Sequence, residues 1–189
     1  MPRRPRGVIV DSLVHVISRG NRGLPIYLGD QDCQAFLEYL QEYVPQYTAQ
    51  VHGYCLMTNH FHLVVEVGPT PLSKLMHALL NRFTKYFNRR HGYDGHLFGD
   101  RFWSKPCDSE AQALATVGYI HLNPCRAGIT PSPEGYRWST HGAYLGTSAL
   151  EWISTSLLDL FSVDRGRAHA QYAQFIDFLA EPFRGRVFE

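Results

Sequence analysis

Apolar positions along this chain recur with two different periods, and the switches between them predict its elements. Residues 8–19 (VIVDSLVHVISR) are rich in Val and Ile and alternate in part, which predicts a strand. Gly20, Asn21 and Gly23 supply a turn. From 30 to 44 the spacing of Phe36, Leu37, Leu40 and Val44 is helical. Residues 49–57 and 60–67 read as two strands joined at Thr58-Asn59, a hairpin. Residues 71–91 predict a long helix with an apolar stripe of Leu72, Leu75, Met76, Leu79, Phe83 and Phe87. An aromatic-rich strand is expected within 96–107. A further helix is predicted over 109–123, with Ser109 and Gln112 as a capping box and Pro124 as its stop. The order β-α-β-β-α-β and then α is that of an α+β fold, a ferredoxin-like split βαβ sheet with an added C-terminal helix.

The character changes near residue 130. Thr130-Pro131-Ser132-Pro133-Glu134-Gly135 reads as a loop or linker, and two short helices are expected over 153–161 and 167–180. The expected organisation is a main domain over 1–130 and a small helical extension over 131–189, packed on the main domain or standing as an appendage.

Composition narrows the class. Of 189 residues, 44% are hydrophobic and 19% charged, so the chain has the makings of a packed core. No apolar run approaches the roughly 18 residues of a membrane span, and MPRRPRG lacks the apolar stretch of a secretory signal. The four cysteines (33, 55, 107, 125) form no CxxC pair, which argues against a zinc ribbon or disulfide framework. A reducing, cytoplasmic setting is expected. A net charge of +1 hides an asymmetry: residues 1–107 carry 12 basic and 8 acidic side chains, and residues 108–189 carry 6 and 9. The first part is the better candidate to meet a polyanion.

Three groups of residues carry candidate chemistry. His60-Phe61-His62 lies on a predicted strand, where alternate side chains share a face. Two imidazoles about 7 Å apart can share a metal ion, although the motif alone more often marks a solvent-facing pair. Tyr119 and Asn123 are four apart on a predicted helix and stack on one face. At about 100° per residue, Ala113, Leu114, Val117, Ile120 and His121 take the opposite, apolar arc, so Tyr119 does not sit where a core tyrosine would. His121, inside that arc, reads as a hydrogen-bonded core residue. Lys74, Arg82, Lys85, Arg89 and Arg90, with Arg101 and nearby Tyr86, Tyr93, Phe98, Phe102 and Trp103, make a basic segment interleaved with aromatics. Such a segment suits unpaired bases and phosphates, or else is a solvated helix face beside core aromatics. No nucleotide-binding glycine motif, GxSxG or HExxH is present.

Taken in order, several stretches resemble the REP-associated tyrosine transposases, a group related to the IS200-like single-strand transposases of the HUH nuclease superfamily. They are HVISRGN (15–21), YCLMTNHFHLVVE (54–66), RFTKYFNRRHG (82–92), GHLF with RF (95–98, 101–102), YIHLNPCRAGI (119–129) and YRWSTHGAYLG (136–146), then the segment from SLLDLF to QYAQFIDFL (156–179). The resemblance implies that His60 and His62 are the paired metal-ligating histidines, Asn123 the third ligand and Tyr119 the nucleophile. It implies a divalent metal, Mg²⁺ or Mn²⁺, and cleavage and rejoining of single-stranded DNA through a 5′-phosphotyrosine. The expected partner is single-stranded DNA with hairpin structure, of the REP type, at the nucleoid of a bacterium. Arg82, Lys85, Arg89, Arg90 and Arg101 are the expected DNA contacts, with Arg3, Arg4 and Arg6 as a basic arm. Monomer and homodimer are both compatible. Two departures stand out: Thr58 replaces the usual Pro before Asn59-His60, and Gly99-Asp100 replaces Gln-Gly before Arg101-Phe102. A non-catalytic nucleic-acid binder and a hydrolase using bound water are the competing readings.

Overall fold

Strand alternation builds the two layers. A computed structural model describes residues 8–181. In β3 (His60–Val67), Phe61, Leu63, Val65 and Val67 enter one core and Val64 enters another. Side chains two apart share a face, so His60 and His62 lie on the Val64 side. β3 pairs antiparallel with β2 (Ala49–Met57) and with β1 (Ser12–Arg19); β1 also pairs with the short β4 (Trp103–Pro106). The sheet order β2-β3-β1-β4, with α1 (Asp30–Gln46) after β1 and α2 (Leu72–His91) after β3, is the ferredoxin-like arrangement expected.

Helices α1 and α2 bury the stripes Phe36, Leu40, Val44 and Leu72, Leu75, Met76, Leu79, Phe83, Phe87 against one sheet face. The buried Asp32 joins them. It accepts the Leu28 backbone N–H at 2.7 Å and meets His91 Nε2 at 3.0 Å and Arg90 Nε at 3.4 Å.

The other face is covered by α3 (Glu110–His121) and by the residues after 130. A β-bulge falls between Val51 and Gly53, and the bare Gly53 lets α3 approach closely: a Cβ there would lie 3.1 Å from Val117 Cγ2. Behind α3 lies α6 (Arg165–Ala180), where a Cβ on Gly118 would lie 2.8 Å from Leu179 Cδ1. Between them, Ser139 bridges Cys55, Ile153 bridges Val51, and the short α5 (His141–Leu145) seats Tyr144 in the second core. Among the described residues no helix is long and apolar enough to cross a membrane.

Four local expectations are corrected. The first strand starts at Ser12, because Asp11 takes a left-handed φ of 45° and gives its N–H to Gly68. The capping box is half formed: Ser109 Oγ accepts from Gln112 N at 3.2 Å, but the Gln112 side chain turns to the Asp108 N–H. Pro124 does not stop the helical path. Leu122 caps α3, and Pro124 sits in the first turn of α4 (Asn123–Arg126), where its missing N–H costs nothing. Within 153–161 only Ser156–Leu160 is helical, as a 3₁₀ segment.

Candidate active site

The second sheet face is not covered along its whole length. Toward the end of β1 it carries His15, Ile17 and Arg19, with His60 and His62 of β3 alongside and Trp103 and Lys105 of β4 at the edge. Tyr119 reaches over this region from α3. It is 43% exposed, although Ile120 and His121 beside it are buried. Its ring meets the His62 ring edge-on, with centroids 6.3 Å apart, and the Arg126 guanidinium lies 4.6 Å from the Tyr119 ring centroid. Thus His60, His62 and Tyr119 come together. Asn123 opens α4 just beyond; it is 8% exposed, and its Nδ2 has no hydrogen-bond partner.

Hydrogen-bond accounting assigns the free nitrogens. His60 Nδ1 lies 2.7 Å from Asn59 Oδ1, and Asn59 Nδ2 donates to Gly23 O at 3.0 Å. That second bond fixes the amide, so His60 donates through Nδ1 and keeps its Nε2 lone pair. His62 Nδ1 lies 3.0 Å from His15 Nε2, and the two rings stack at 5.3 Å. Donation from His62 Nδ1 to His15 leaves His62 with the same open Nε2. Burial lowers all three histidines. His62 is pushed down to about 3, with His15 and His60 nearby adding to the effect. His15 is pushed down to about 4. His60 is lowered by burial and then by Arg19. All three are neutral at pH 7, the form that ligates a metal.

Among the described residues no group of three or more His, Cys, Asp and Glu side chains converges on a metal position. The donor set that the resemblance implies is two imidazoles and one amide. Two neutral Nε2 atoms and the Asn123 side-chain oxygen are donors that suit a divalent ion with open coordination positions.

The basic residues are distributed differently. Arg82, Lys85, Arg89 and Arg90 lie on α2, against the opposite sheet face from the histidines. Arg82 stacks on Tyr39 at 4.2 Å and pairs with Glu42 at 2.6 Å, and Arg90 reaches Asp32 and Gln31. Lys85 and Arg89 are exposed. Arg101 stands before β4 in a cleft beside the end of β1. Arg3, Arg4 and Arg6 lie outside the described residues. Two site neighbours were not legible as such. His15 joins the histidines only through strand register, which sets it opposite Val64 and diagonal to His62. Arg126 had a usable signal: it follows Tyr119 by seven residues, two helical turns, and so returns to the same face.

The site thus consists of a tyrosine-bearing helix beside a His-x-His strand on a ferredoxin-like sheet. Residues 10–123 match the family model for IS200-like transposases, and the chain belongs to that family. The matched stretch includes His15, His60, His62, Tyr119 and Asn123. Among solved structures, the chain is similar in fold to a REP-associated tyrosine transposase bound to a REP hairpin. The TM-score is 0.64 at 15% identity, over 82% of this chain and 98% of that one. A putative transposase from Deinococcus radiodurans R1 aligns with TM-score 0.44 and 16% identity, over 61% of this chain and 93% of that one. No curated protein matches the sequence.

Proposed function

We propose that this transposase is a metal-dependent, single-stranded DNA endonuclease and strand transferase with Tyr119 as nucleophile, acting on DNA hairpins. The observation that carries the reading is the placement of an exposed Tyr119 beside two neutral histidines whose Nδ1 atoms are both engaged and whose Nε2 atoms are not. His60, His62 and Asn123 are the residues that would hold Mg²⁺ or Mn²⁺. Bound there, a divalent ion would polarise the scissile phosphate and neutralise its developing charge.

The chain's own groups do the rest. Tyr119 Oη attacks the phosphorus, the bond to the 3′ oxygen breaks, and a 5′-phosphotyrosine and a free 3′-OH result. One proton leaves the phenol and one arrives at the 3′ oxygen, so none is consumed. The covalent link retains the phosphodiester, and a later 3′-OH reverses the attack without ATP. Arg126 restrains the Tyr119 ring from one side. His15 acts through His62: accepting from Nδ1, it fixes the tautomer and the ring. The hairpin partner is carried over from the REP-associated relative. Lys85, Arg89 and Arg101 are the proposed contacts to its backbone. On α2, Arg82 and Arg90 are already held by carboxylates and contribute less than Lys85 and Arg89.

The test is a denaturing gel with end-labelled single-stranded hairpins from the neighbourhood of the gene, in Mg²⁺, Mn²⁺ or chelator. A metal-dependent protein–DNA adduct that is absent in Tyr119→Phe and in His60→Ala is the expected result. Cleavage that persists in Tyr119→Phe with no adduct would replace this mechanism with hydrolysis by bound water. Tight binding with no cleavage in any metal, on hairpins that bind, would make the protein a non-catalytic binder.

A further inference from the structure

Of the three tryptophans, Trp103 alone is exposed; Trp138 and Trp152 are partly buried against the core. It opens β4 opposite Ile17 and is 49% exposed. Its ring meets His15 edge-on at 5.5 Å, and His15 in turn stacks on His62 at 5.3 Å. A row of rings therefore runs from the reacting cluster to the open edge of the sheet, with Trp103 at the end that α3 does not cover.

The surroundings of that ring are cationic. Arg19 and Lys105 are exposed on the same sheet face. A cleft of about 430 Å³ runs from Trp103 along the end of β1 and is lined by Arg19, Arg22 and Arg101, with Asp100 as its single carboxylate. Ser18 also lines it, and its hydroxyl, almost fully buried, has no hydrogen-bond partner. An indole half in water costs free energy unless something covers it. An apolar protein partner would have to strip water from the flanking guanidinium and ammonium groups, whereas a polyanion with flat, apolar bases satisfies both.

We infer that Trp103 is the stacking platform of a subsite for one unpaired DNA base beside the scissile phosphate, with Arg19 and Lys105 meeting the flanking phosphates. The subsite rests on the proposed action at His60, His62 and Tyr119, since it is their position that makes this base the neighbour of the cut. Stacking on an indole is tolerant of sequence, because every base has a π face. The subsite therefore takes a short oligo(dT), without any hairpin.

The experiment uses the full chain carrying Tyr119→Phe, so that binding is read without cleavage, and fluorescein-labelled oligo(dT) as the probe. Trp103→Ala is expected to weaken binding by about 5- to 100-fold and Trp103→Phe by less than about threefold. Tryptophan emission is expected to be quenched by oligo(dT) in the parent and not in Trp103→Phe, although the latter still binds. Circular dichroism and thermal melts establish that each variant is folded; if Trp103→Ala is not, the Phe variant and the quenching decide. Unchanged affinity in Trp103→Ala, quenching that survives in Trp103→Phe, or an equal loss for duplex DNA would each overturn the inference. A normal covalent adduct with unchanged oligo(dT) affinity in Trp103→Ala would sink the subsite alone. Trp103-dependent binding with no adduct on any bound hairpin would sink the tyrosine chemistry and leave the subsite standing.

Discussion

The chain builds two histidine clusters, one beside Tyr119 and one around His121, and they differ in how their nitrogens are used. In the first, His15, His60 and His62 each have one nitrogen engaged, and His60 and His62 keep their Nε2 atoms open beside Tyr119. In the second, His121 is fully buried and both its nitrogens are occupied, by Tyr172 Oη at 2.5 Å and Thr140 Oγ1 at 2.7 Å. Thr140 can give its proton to Tyr54 O while accepting from Tyr54 N, so His121 donates to Thr140 through Nε2 and accepts from Tyr172 at Nδ1. Burial lowers the pKa in both clusters, to about 3 at His62 and well below the usual value at His121. A depressed pKa therefore does not tell a working histidine from a structural one here. The hydrogen-bond count does.

That contrast predicts a double dissociation. The largest effect belongs to Tyr119→Phe, which is expected to lower adduct formation at least about a thousandfold. Because Tyr119 is exposed, the unfolding free energy from urea titration should change by no more than about 0.5 kcal/mol. His121→Ala is expected to do the reverse. It empties a packed site and strands Tyr172 and Thr140, destabilising the fold by about 2–4 kcal/mol. Protein that remains folded should still form the adduct. If His121→Ala abolished the adduct in folded protein, or Tyr119→Phe unfolded the chain, the division into a working and a structural cluster would be wrong.

Much of this division was legible in the sequence, and the reason is periodicity. Strand alternation put His60 and His62 on one face, and the 100° step put Tyr119 off the apolar arc and His121 inside it. The pairing of the clusters with their partners was not legible. His15 meets His62 through the β1–β3 register, and His121 meets Tyr172 across 51 positions of chain. α3 does end ahead of Pro124, but the resumption in α4 was not legible, because a proline that ends one helix also fits the first turn of the next. The basic stripe of α2 was visible, but not that α2 would lie on the sheet face opposite the histidines. Period tells which side chains share a helix face, not which layer that helix joins.

A smaller effect sharpens the working cluster. In the proposed tautomer His15 accepts from His62 and touches no reacting atom, which makes it a positioning residue. His15→Phe should fill the space without the acceptor and weaken Mn²⁺ binding by about 10- to 100-fold. His15→Gln, whose Oε1 can still accept from His62 Nδ1, should recover most of that. Electron paramagnetic resonance titration of Mn²⁺ reads both, and nitrogen-15 spectra of the metal-free protein should show His62 with its proton on Nδ1. Equal losses in Phe and Gln would reduce His15 to packing.

The smallest effect at neutral pH comes from titration, because every histidine in both clusters is already neutral there. The unfolded chain takes protons on these side chains near pH 6.5, and the folded chain resists until about 4 at His15 and about 3 at His62. Between those limits the unfolded state holds more protons, so stability rises with pH and is lost as pH falls through that window. His121 and His141 are lowered as well and act with the same sign, so acid alone cannot separate the clusters. Saturating Mn²⁺ can. It adds stability only while His60 and His62 are neutral, so the added stability should be full at pH 7 and decline on the acid side. The His121 cluster gains nothing from the metal at any pH. Chemical denaturation at pH 7, 5 and 3, with and without Mn²⁺, reads the difference, because the increment should hold until the pH nears the depressed values, about 3 at His62. A Mn²⁺ increment undiminished at pH 3, or one that survives His60→Ala, would place the metal elsewhere than on His60 and His62.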